Sequence, residues 1–180
     1  MAQKLMQMAL AASSRQLEAV KMTQNVLQRD GFDTPHPYFK CFVAELDPSE
    51  CKNDTQLENN AIGGEDKSGT GRLVGYALYF FTYSTWNGPS LYLEDIYVTN
   101  DCRSLGIGSA LFDRVAKEAF DKGCCRLDFV VLNWNPATEF YKRKGAVDLT
   151  TAEGWHHYRL EKEALRHLAV LKKRDTSVSP

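Results

Sequence analysis

This sequence has little of several features that mark specialised classes of protein. Its 180 residues carry 22 Lys and Arg against 23 Asp and Glu, a formal net charge of −1, and the basic residues are spread along the chain. The absence of a basic stripe argues against an electrostatic nucleic-acid binder. No stretch is long and apolar enough to span a bilayer, so no membrane partner is expected. The length suits a single domain, which we predict over residues 1–171.

Paired cysteine spacing is absent as well, which argues against two further classes of protein, disulfide-rich and metal-binding. The five cysteines are Cys41, Cys51, Cys102, Cys124 and Cys125. An odd number without paired spacing predicts reduced thiols and a cytoplasmic location, and metal-binding spacing is absent.

Three segments differ in composition from the rest of the chain. Residues 47–71 are rich in Asp, Asn, Ser and Gly, which predicts an inserted flexible loop. The tail over 172–180 is expected to be disordered. Residues 1–15 contain no acidic residue, as in organellar targeting segments, but a helix of the fold over 4–20 is the favoured interpretation.

The remaining chain carries clear strand and helix patterns. Strands are predicted over 38–46, 72–83 and 90–98, and their succession without intervening helices indicates an antiparallel meander. A helix over 109–122 followed by a strand over 126–132 implies a parallel pair. A helix capped by Asn135, a strand over 156–160 and a helix over 161–173 complete an α+β domain with a mixed sheet.

The most informative stretch joins a strand to a helix through a glycine-bearing turn, Arg103 to Gly108. Free N–H groups and the macrodipole make a helix N-terminus an anion site, and glycine lets a phosphate approach the backbone. Glu94 and Asp95 lie in the apolar strand just before it, and strand alternation predicts that they point to opposite faces. This arrangement suggests a phosphorylated cofactor beside a carboxylate that handles the substrate.

At these residues the chain resembles the GNAT superfamily of acetyl-CoA-dependent N-acetyltransferases. Residues 103–108 fit the family's R/Q-x-x-G-x-G/A pyrophosphate loop, and residues 135–146 resemble its tyrosine-bearing helix. Segments 80–86, 91–95, 140–146 and 153–155 are similar to the diamine (spermidine/spermine) and thialysine acetyltransferases within that family. The resemblance covers roughly Val20 to Leu168 and implies a mixed, mostly antiparallel sheet with splayed central strands, flanked by helices.

The resemblance implies roles for individual residues. Glu94 matches the family's general base, and Tyr141 matches the tyrosine proposed as general acid near the sulfur of CoA. Acetyl-CoA is the implied acetyl donor, and Arg103 either adds charge to its phosphates or pairs with Asp101. The implied cofactor-binding residues are Ile96, Tyr97, Val98, Arg103, Ser104, Leu105, Gly106, Ile107, Gly108, Ser109, Asn135 and Tyr141.

The substrate residues are more open. Asp95 matches a position associated with a cationic substrate, and the alternative is a solvent-facing strand residue. Trp86 and Trp155 match aromatic positions of the polyamine pocket, and the alternative is packing in the core or anchoring of loops. Relatives are homodimers, so the resemblance implies a homodimer.

Two departures from the family weaken the polyamine assignment. The family's first strand is expected to be missing, and two acidic positions are replaced near Ser13-Ser14 and at Ser84. We therefore predict an N-acetyltransferase that acts on a primary amine of a small molecule, such as a polyamine, a diamine or a thialysine-like amino acid, by direct attack in a ternary complex. The alternatives are a catalytically weak CoA-binding or regulatory protein of the same fold and an acetyltransferase of protein amines.

Overall fold

The computed structural model describes residues 2–12, 22–47 and 71–171. The second half of the helix predicted over 4–20, nearly all of the loop predicted over 47–71 and the tail over 172–180 lie outside these residues, as do Ser13, Ser14 and Cys51. The chain divides into two compact units, Met1–Val130 and Val131–Pro180. The single domain over 1–171 stays a prediction.

The first unit is built on one four-stranded sheet. Its strands are β1 (Lys40–Leu46), β2 (Arg72–Ser84), β3 (Gly88–Val98) and β4 (Leu127–Asp128), and they lie side by side in that order. β1, β2 and β3 are antiparallel, and β4 is parallel to β3. The predicted meander and the predicted parallel pair are both present. Among the described residues no strand comes before Lys40.

The strand predicted over 126–132 is reduced to Leu127 and Asp128. These pair with Leu91 and Tyr92, and β3 then continues to Val98 without β4 beside it. The next residue, Phe129, packs instead against Phe112 with the ring centroids 5.8 Å apart. The two strands therefore separate after two pairs, as the splayed sheet of the predicted fold requires.

Three helices belong to the first unit: α1 (Ala2–Ala12), α2 (Gln24–Gly31) and α3 (Ile107–Asp121). Thr23 caps α2, and its hydroxyl accepts the Val26 N–H at 3.4 Å. α3 has an apolar stripe, on which Leu111, Phe112, Val115 and Ala119 are buried.

α1 and α3 cover opposite faces of the sheet. Tyr76 is buried in one cluster with Leu5, Met6 and Met8 of α1 and Leu27 of α2. The preceding residue, Gly75, faces the other way, because a Cβ built there would lie 3.1 Å from Leu111 of α3. The sheet is therefore the central layer of the first unit.

The second unit is helical where it is described. It contains α4 (Ala137–Arg143), α5 (Leu149–Glu153) and α6 (Lys162–Leu171). The strand predicted over 156–160 is wrong, because no described strand pairs with this segment, and Tyr158 is 86% exposed. α5 was not predicted; Asp148 caps it by accepting the Thr150 and Thr151 N–H groups. None of the described helices has the length and apolar character that a membrane crossing requires.

Candidate active site

The turn before α3 leaves the start of the helix uncapped. Gly106 stands at the cap position with a left-handed φ of +81°, and among the described residues no side chain accepts a hydrogen bond from the first turn. A Cβ built on Gly106 would meet nothing within 4 Å, so the backbone conformation, not crowding, requires glycine here. The first turn contains no acidic residue, and the free N–H groups favour an anion in the open space before them.

The loop that leads into this turn is tied to β2 and β3. The Arg103 Nε donates to the Val98 carbonyl at 3.2 Å, and its guanidinium lies 5.7 Å from the centre of the Tyr97 ring. Asp101 pairs with Arg72 at 2.6 Å. Burial raises the pKa of the Asp101 carboxyl, but the contacts that include Arg72 outweigh it and hold the pKa below its usual value. One of the two roles expected for Arg103 was to pair with Asp101, but Asp101 is paired with Arg72 instead.

β3 contains a bulge at Glu94. Tyr79 of β2 pairs with Leu93, and the next residue back, Leu78, pairs with Asp95, so Glu94 is an extra residue on β3. A bulge interrupts the alternation of side chains along a strand and changes the directions in which they point. The prediction that Glu94 and Asp95 point to opposite faces assumed an unbroken strand, and at this bulge it stays a prediction. Glu94 is exposed, and its carboxylate has no hydrogen-bond or ion-pair partner among the described residues.

Asp95 has quite different surroundings. The Tyr76 hydroxyl, on β2, donates a short hydrogen bond to the Asp95 carboxylate. Burial raises the pKa of Asp95, although the bonds from Tyr76 and the Ile96 N–H work against the rise. Burial and the charge of Asp95 raise the pKa of the Tyr76 hydroxyl, so it stays a donor. The expected alternative of a solvent-facing residue is wrong, because Asp95 is partly buried.

One edge of β3 is open beside the uncapped turn. β4 bonds β3 only at Leu91 and Tyr92, so in the described chain no strand covers Leu93–Val98 on the side away from β2. A Cβ on Gly108, in the first turn of α3, would lie 3.7 Å from Val98 Cγ2, so that turn lies against the end of β3. Ile96, Tyr97 and Val98 therefore share one end of the unit with the turn over 103–109.

Tyr141 lies on α4, in the second unit. As predicted, Asn135 caps this helix: its side-chain oxygen accepts the Ala137 N–H at 2.9 Å, and its carbonyl accepts the Thr138 N–H at 3.0 Å. The Tyr141 ring packs edge-on against Phe140 with the centroids 5.1 Å apart. Lys142 pairs with Glu139 at 2.9 Å.

The two tryptophans assigned to the substrate are both exposed. Trp86 lies in the turn between β2 and β3 and is 79% exposed, and Trp155 is 52% exposed. The Trp155 indole N–H donates to Glu153 at 2.6 Å. Neither is buried in a core, which removes one of the two alternatives stated for them.

Sequence reasoning missed three residues that shape this region. Tyr76 holds Asp95, Arg72 holds Asp101, and Gly75 lets α3 approach β2 and β3. A glycine inside an aromatic strand was the one available signal, since it often marks a close approach of another element. No group of His, Cys, Asp and Glu among the described residues is arranged to hold a metal ion.

The mixed sheet, the bulged strand and the helix that begins at an uncapped glycine define the class as an α+β acetyltransferase fold. The sequence profile of the acetyltransferase (GNAT) family matches residues 24–146. The chain therefore belongs to the GNAT family of acetyltransferases.

Individual relatives agree with this assignment. The chain is 44% identical over 161 residues to a thialysine N-epsilon-acetyltransferase of Sus scrofa, covering 89% of this chain and 85% of the relative. It is 39% identical to spermidine/spermine N(1)-acetyltransferase-like protein 1 of Homo sapiens, again over 89% of this chain but over 21% of that longer protein. The predicted family and the prediction of an N-acetyltransferase are confirmed.

Solved structures support the fold. A possible acetyltransferase from Clostridium difficile 630 superposes with a TM-score of 0.62 at 15% identity, over 89% of this chain and 90% of that chain. An aminoglycoside acetyltransferase from a soil metagenomic sample gives a TM-score of 0.59 at 18% identity over similar shares, 89% and 90%. The predicted GNAT fold is confirmed.

Proposed function

We propose that this protein transfers the acetyl group of acetyl-CoA to a primary amine of a small molecule, by direct attack in a ternary complex. One observation carries the proposal: an exposed Glu94 carboxylate, without a partner among the described residues, lies at a bulge of β3, on the strand that leads into the uncapped start of α3. Glu94 and Val98 are four residues apart, about 13 Å along a strand. The proposal therefore assigns a carboxylate and an anion site to the two ends of the β3 segment over 94–98.

The cofactor fits the residues that are present. The N–H groups of the turn over 103–109 suit a pyrophosphate, because the first turn of α3 carries no competing carboxylate and no capping side chain. Thr99 donates its N–H to Val74 of β2, so the alternate N–H groups of Ile96 and Val98 point to the open edge of β3 and suit the carbonyl groups of an extended arm. Bound acetyl-CoA supplies an activated thioester.

Side chains of the protein would accept and donate the protons of the reaction. An alkyl amine has a pKa of about 10 and is mostly protonated near neutral pH. Glu94 is proposed to take that proton, directly or through one water, so that the amine becomes a nucleophile. The Tyr141 hydroxyl is proposed to donate a proton to the departing sulfur, a role that rests on resemblance to the family.

The substrate class follows from similarity and from charge. Relatives that are 44% and 39% identical to this chain over 161 aligned residues are named for thialysine and for spermidine or spermine. Ser84 stands where an acidic residue would meet a longer cation, and its hydroxyl accepts the Trp86 and Asn87 N–H groups at 3.2 and 3.3 Å. We therefore propose small diamines and thialysine-like amino acids ahead of long polyamines.

An acetylation assay on a panel of amines tests this proposal. Purified protein is incubated with acetyl-CoA and one amine at a time, and the acetylated amine is detected by mass spectrometry. We expect thialysine and short diamines to be acetylated at least as well as spermine, compared by kcat/KM. Acetyl-CoA binding without product for any amine would instead indicate a catalytically weak CoA-binding protein, and product on protein lysines alone would indicate a protein acetyltransferase.

We further propose that the protein works as a homodimer in the cytoplasm. The dimer rests on resemblance to the family, and the location rests on the predicted reduced state of the cysteines. The four described cysteines, Cys41, Cys102, Cys124 and Cys125, are free thiols. Light scattering on the purified protein tests the dimer, and a mass of one chain would contradict it.

A further inference from the structure

Tyr76 and Asp95 form a polar pair inside an otherwise apolar face of the sheet. Tyr76 is 1% exposed and packs among Leu5, Met6 and Leu27, yet its hydroxyl reaches the Asp95 carboxylate on the neighbouring strand. A buried hydroxyl needs a partner, and a partly buried carboxylate needs a donor. Each group satisfies the other.

The pair is set next to the bulge that presents Glu94. Tyr76 pairs with Tyr97 and Leu78 pairs with Asp95, and the pair Ala77–Ile96 lies between them, so the hydroxyl reaches two pairs along the ladder to the carboxylate. Asp95 accepts a further bond from the Ile96 N–H. Two donors therefore engage this carboxylate, the Tyr76 hydroxyl from β2 and the Ile96 N–H from β3 itself, at the first residue after the bulge.

Glu94 differs from Asp95 in its exposure and in its hydrogen bonding. It is adjacent in sequence to Asp95, but it is exposed and its carboxylate has no partner in the described part of the chain. A carboxylate that already accepts two hydrogen bonds gains less from an ammonium group than a free one does. Of the two neighbouring carboxylates, one is free for a cation and the other is engaged.

We propose that Tyr76 is a specificity-determining positioning residue: it withholds Asp95 from the amine, so that Glu94 alone of the pair meets a substrate ammonium group. This inference rests on the proposed function and names the amine class that the site takes. The site accepts one ammonium group near Glu94 and gives no extra affinity for a second one. Removal of the Tyr76 hydroxyl frees Asp95 beside Glu94, where a short diamine reaches both.

The test compares two amines with the same carbon chain, butylamine with one amine and putrescine with two. The readout is the ratio of kcat/KM for putrescine to that for butylamine. The single variant Asp95→Asn, which keeps Tyr76, should change this ratio less than about twofold, because Asp95 does not contact the substrate. Tyr76→Phe should raise the ratio about tenfold, the effect of one charge-assisted contact, through a lower KM for putrescine at an unchanged kcat.

A double variant and a matched control identify the cause. Tyr76→Phe with Asp95→Asn should return the ratio to its native value, which a general loosening of the fold would not do. Tyr79→Phe makes the same change on the same strand at a tyrosine that is 2% exposed, and it should leave the ratio unaltered. The inference would be overturned if Tyr76→Phe left the kcat/KM ratio unchanged. It would also be overturned if the single variant Asp95→Asn lowered the ratio tenfold.

Measurements of amine binding test this inference independently of the proposed function. If the native protein acetylates no amine, the proposed function fails, and calorimetric titration of putrescine and butylamine into the CoA-loaded proteins gives the same comparison without turnover. Tighter putrescine binding in Tyr76→Phe that disappears in the double variant supports the inference. Equal binding in native protein and Tyr76→Phe contradicts it, whatever the turnover.

Discussion

At the scale of single residues, the two carboxylates of β3 show that neighbours in sequence can differ in chemistry. Glu94 is an exposed extra residue at a bulge, and Asp95 is partly buried under a tyrosine hydroxyl. Their residue types were visible in the sequence, and so was their place in an apolar strand. The bulge was not, because it depends on how β2 and β3 pair over their whole length.

The raised pKa of Asp95 predicts how stability depends on pH. Because burial raises the folded-state pKa above the ordinary aspartate value of about 3.9, the contribution of Asp95 is fully present below that value and is lost as pH rises through the folded-state pKa. As pH rises from about 4 into the range where Asp95 ionises in the folded protein, the native protein should lose unfolding free energy relative to Asp95→Asn. Urea unfolding of both proteins measures this. A relative gain by the native protein over that range would mean that the Tyr76 bond outweighs burial.

The proposed general acid, Tyr141, gives a second prediction about a single residue. Tyr141→Phe keeps the ring that packs on Phe140 and removes the hydroxyl. We expect turnover to fall about 100-fold or more while acetyl-CoA affinity changes little, because proton transfer alone is lost. Steady-state kinetics measures this, with Tyr158→Phe as the control at an exposed tyrosine of the same unit. Turnover within about twofold of native would show that Tyr141 serves packing only.

At the scale of elements, the start of α3 depends on one glycine of β2. A Cβ built on Gly75 would lie 2.9 Å from the Tyr97 carbonyl oxygen and 3.1 Å from Leu111 Cδ1. The first of these is backbone and cannot turn aside. The sheet and α3 therefore approach closely at the end of β3, and this approach sets where the uncapped turn lies.

Gly75→Ala should disturb both the fold and the proposed cofactor site. We expect a loss of about 1–3 kcal/mol in unfolding free energy, since an added methyl group must displace β3 or α3. Acetyl-CoA binding should weaken as well, because the first turn of α3 moves. Gly108→Ala is the comparison for stability, because its Cβ would be at an ordinary 3.7 Å from Val98 Cγ2. Equal stability of Gly75→Ala and native protein would contradict the close approach.

The turn between β2 and β3 offers a second test at this scale. Ser84 holds the turn by accepting two backbone N–H groups, and an aspartate can accept the same bonds. Ser84→Asp should therefore keep the fold and restore an acidic group for a longer cation. We expect the kcat/KM of spermine to rise relative to that of thialysine. Strong preference for spermine in the native protein, unaltered by Ser84→Asp, would show that the charge argument is wrong.

The elements near the motif were predictable, and those far from it less so. Alternating apolar residues in β1, β2 and β3 and the stripe on α3 are strong local signals, so these elements were found close to their observed bounds. The segment 156–160 has strand-like composition but no described strand to pair with, and pairing decides whether a strand forms. The contact between Tyr76 and Asp95 joins residues 19 apart and leaves no local signal in the sequence.

At the scale of the whole molecule, the account rests on the start of α3 as the site of the acetyl donor. A ligand that binds only the folded chain stabilises it by about 2.7 kcal/mol at a hundredfold excess over its Kd. For a chain of 180 residues this corresponds to a rise in Tm of about 5–10 °C. Gly106→Asp should abolish the rise, because it strains a left-handed backbone and places a carboxylate at the anion site.

The most direct measurement is the Tm shift that acetyl-CoA produces in the native protein, Gly106→Asp and Gly123→Asp. Gly123 also has a positive φ, of +68°, but it follows the other end of α3, so its variant carries similar backbone strain away from the site. We predict a rise of about 5–10 °C in native protein and in Gly123→Asp, and none in Gly106→Asp. No rise in the native protein with millimolar acetyl-CoA, or an equal rise in all three proteins, would contradict the account.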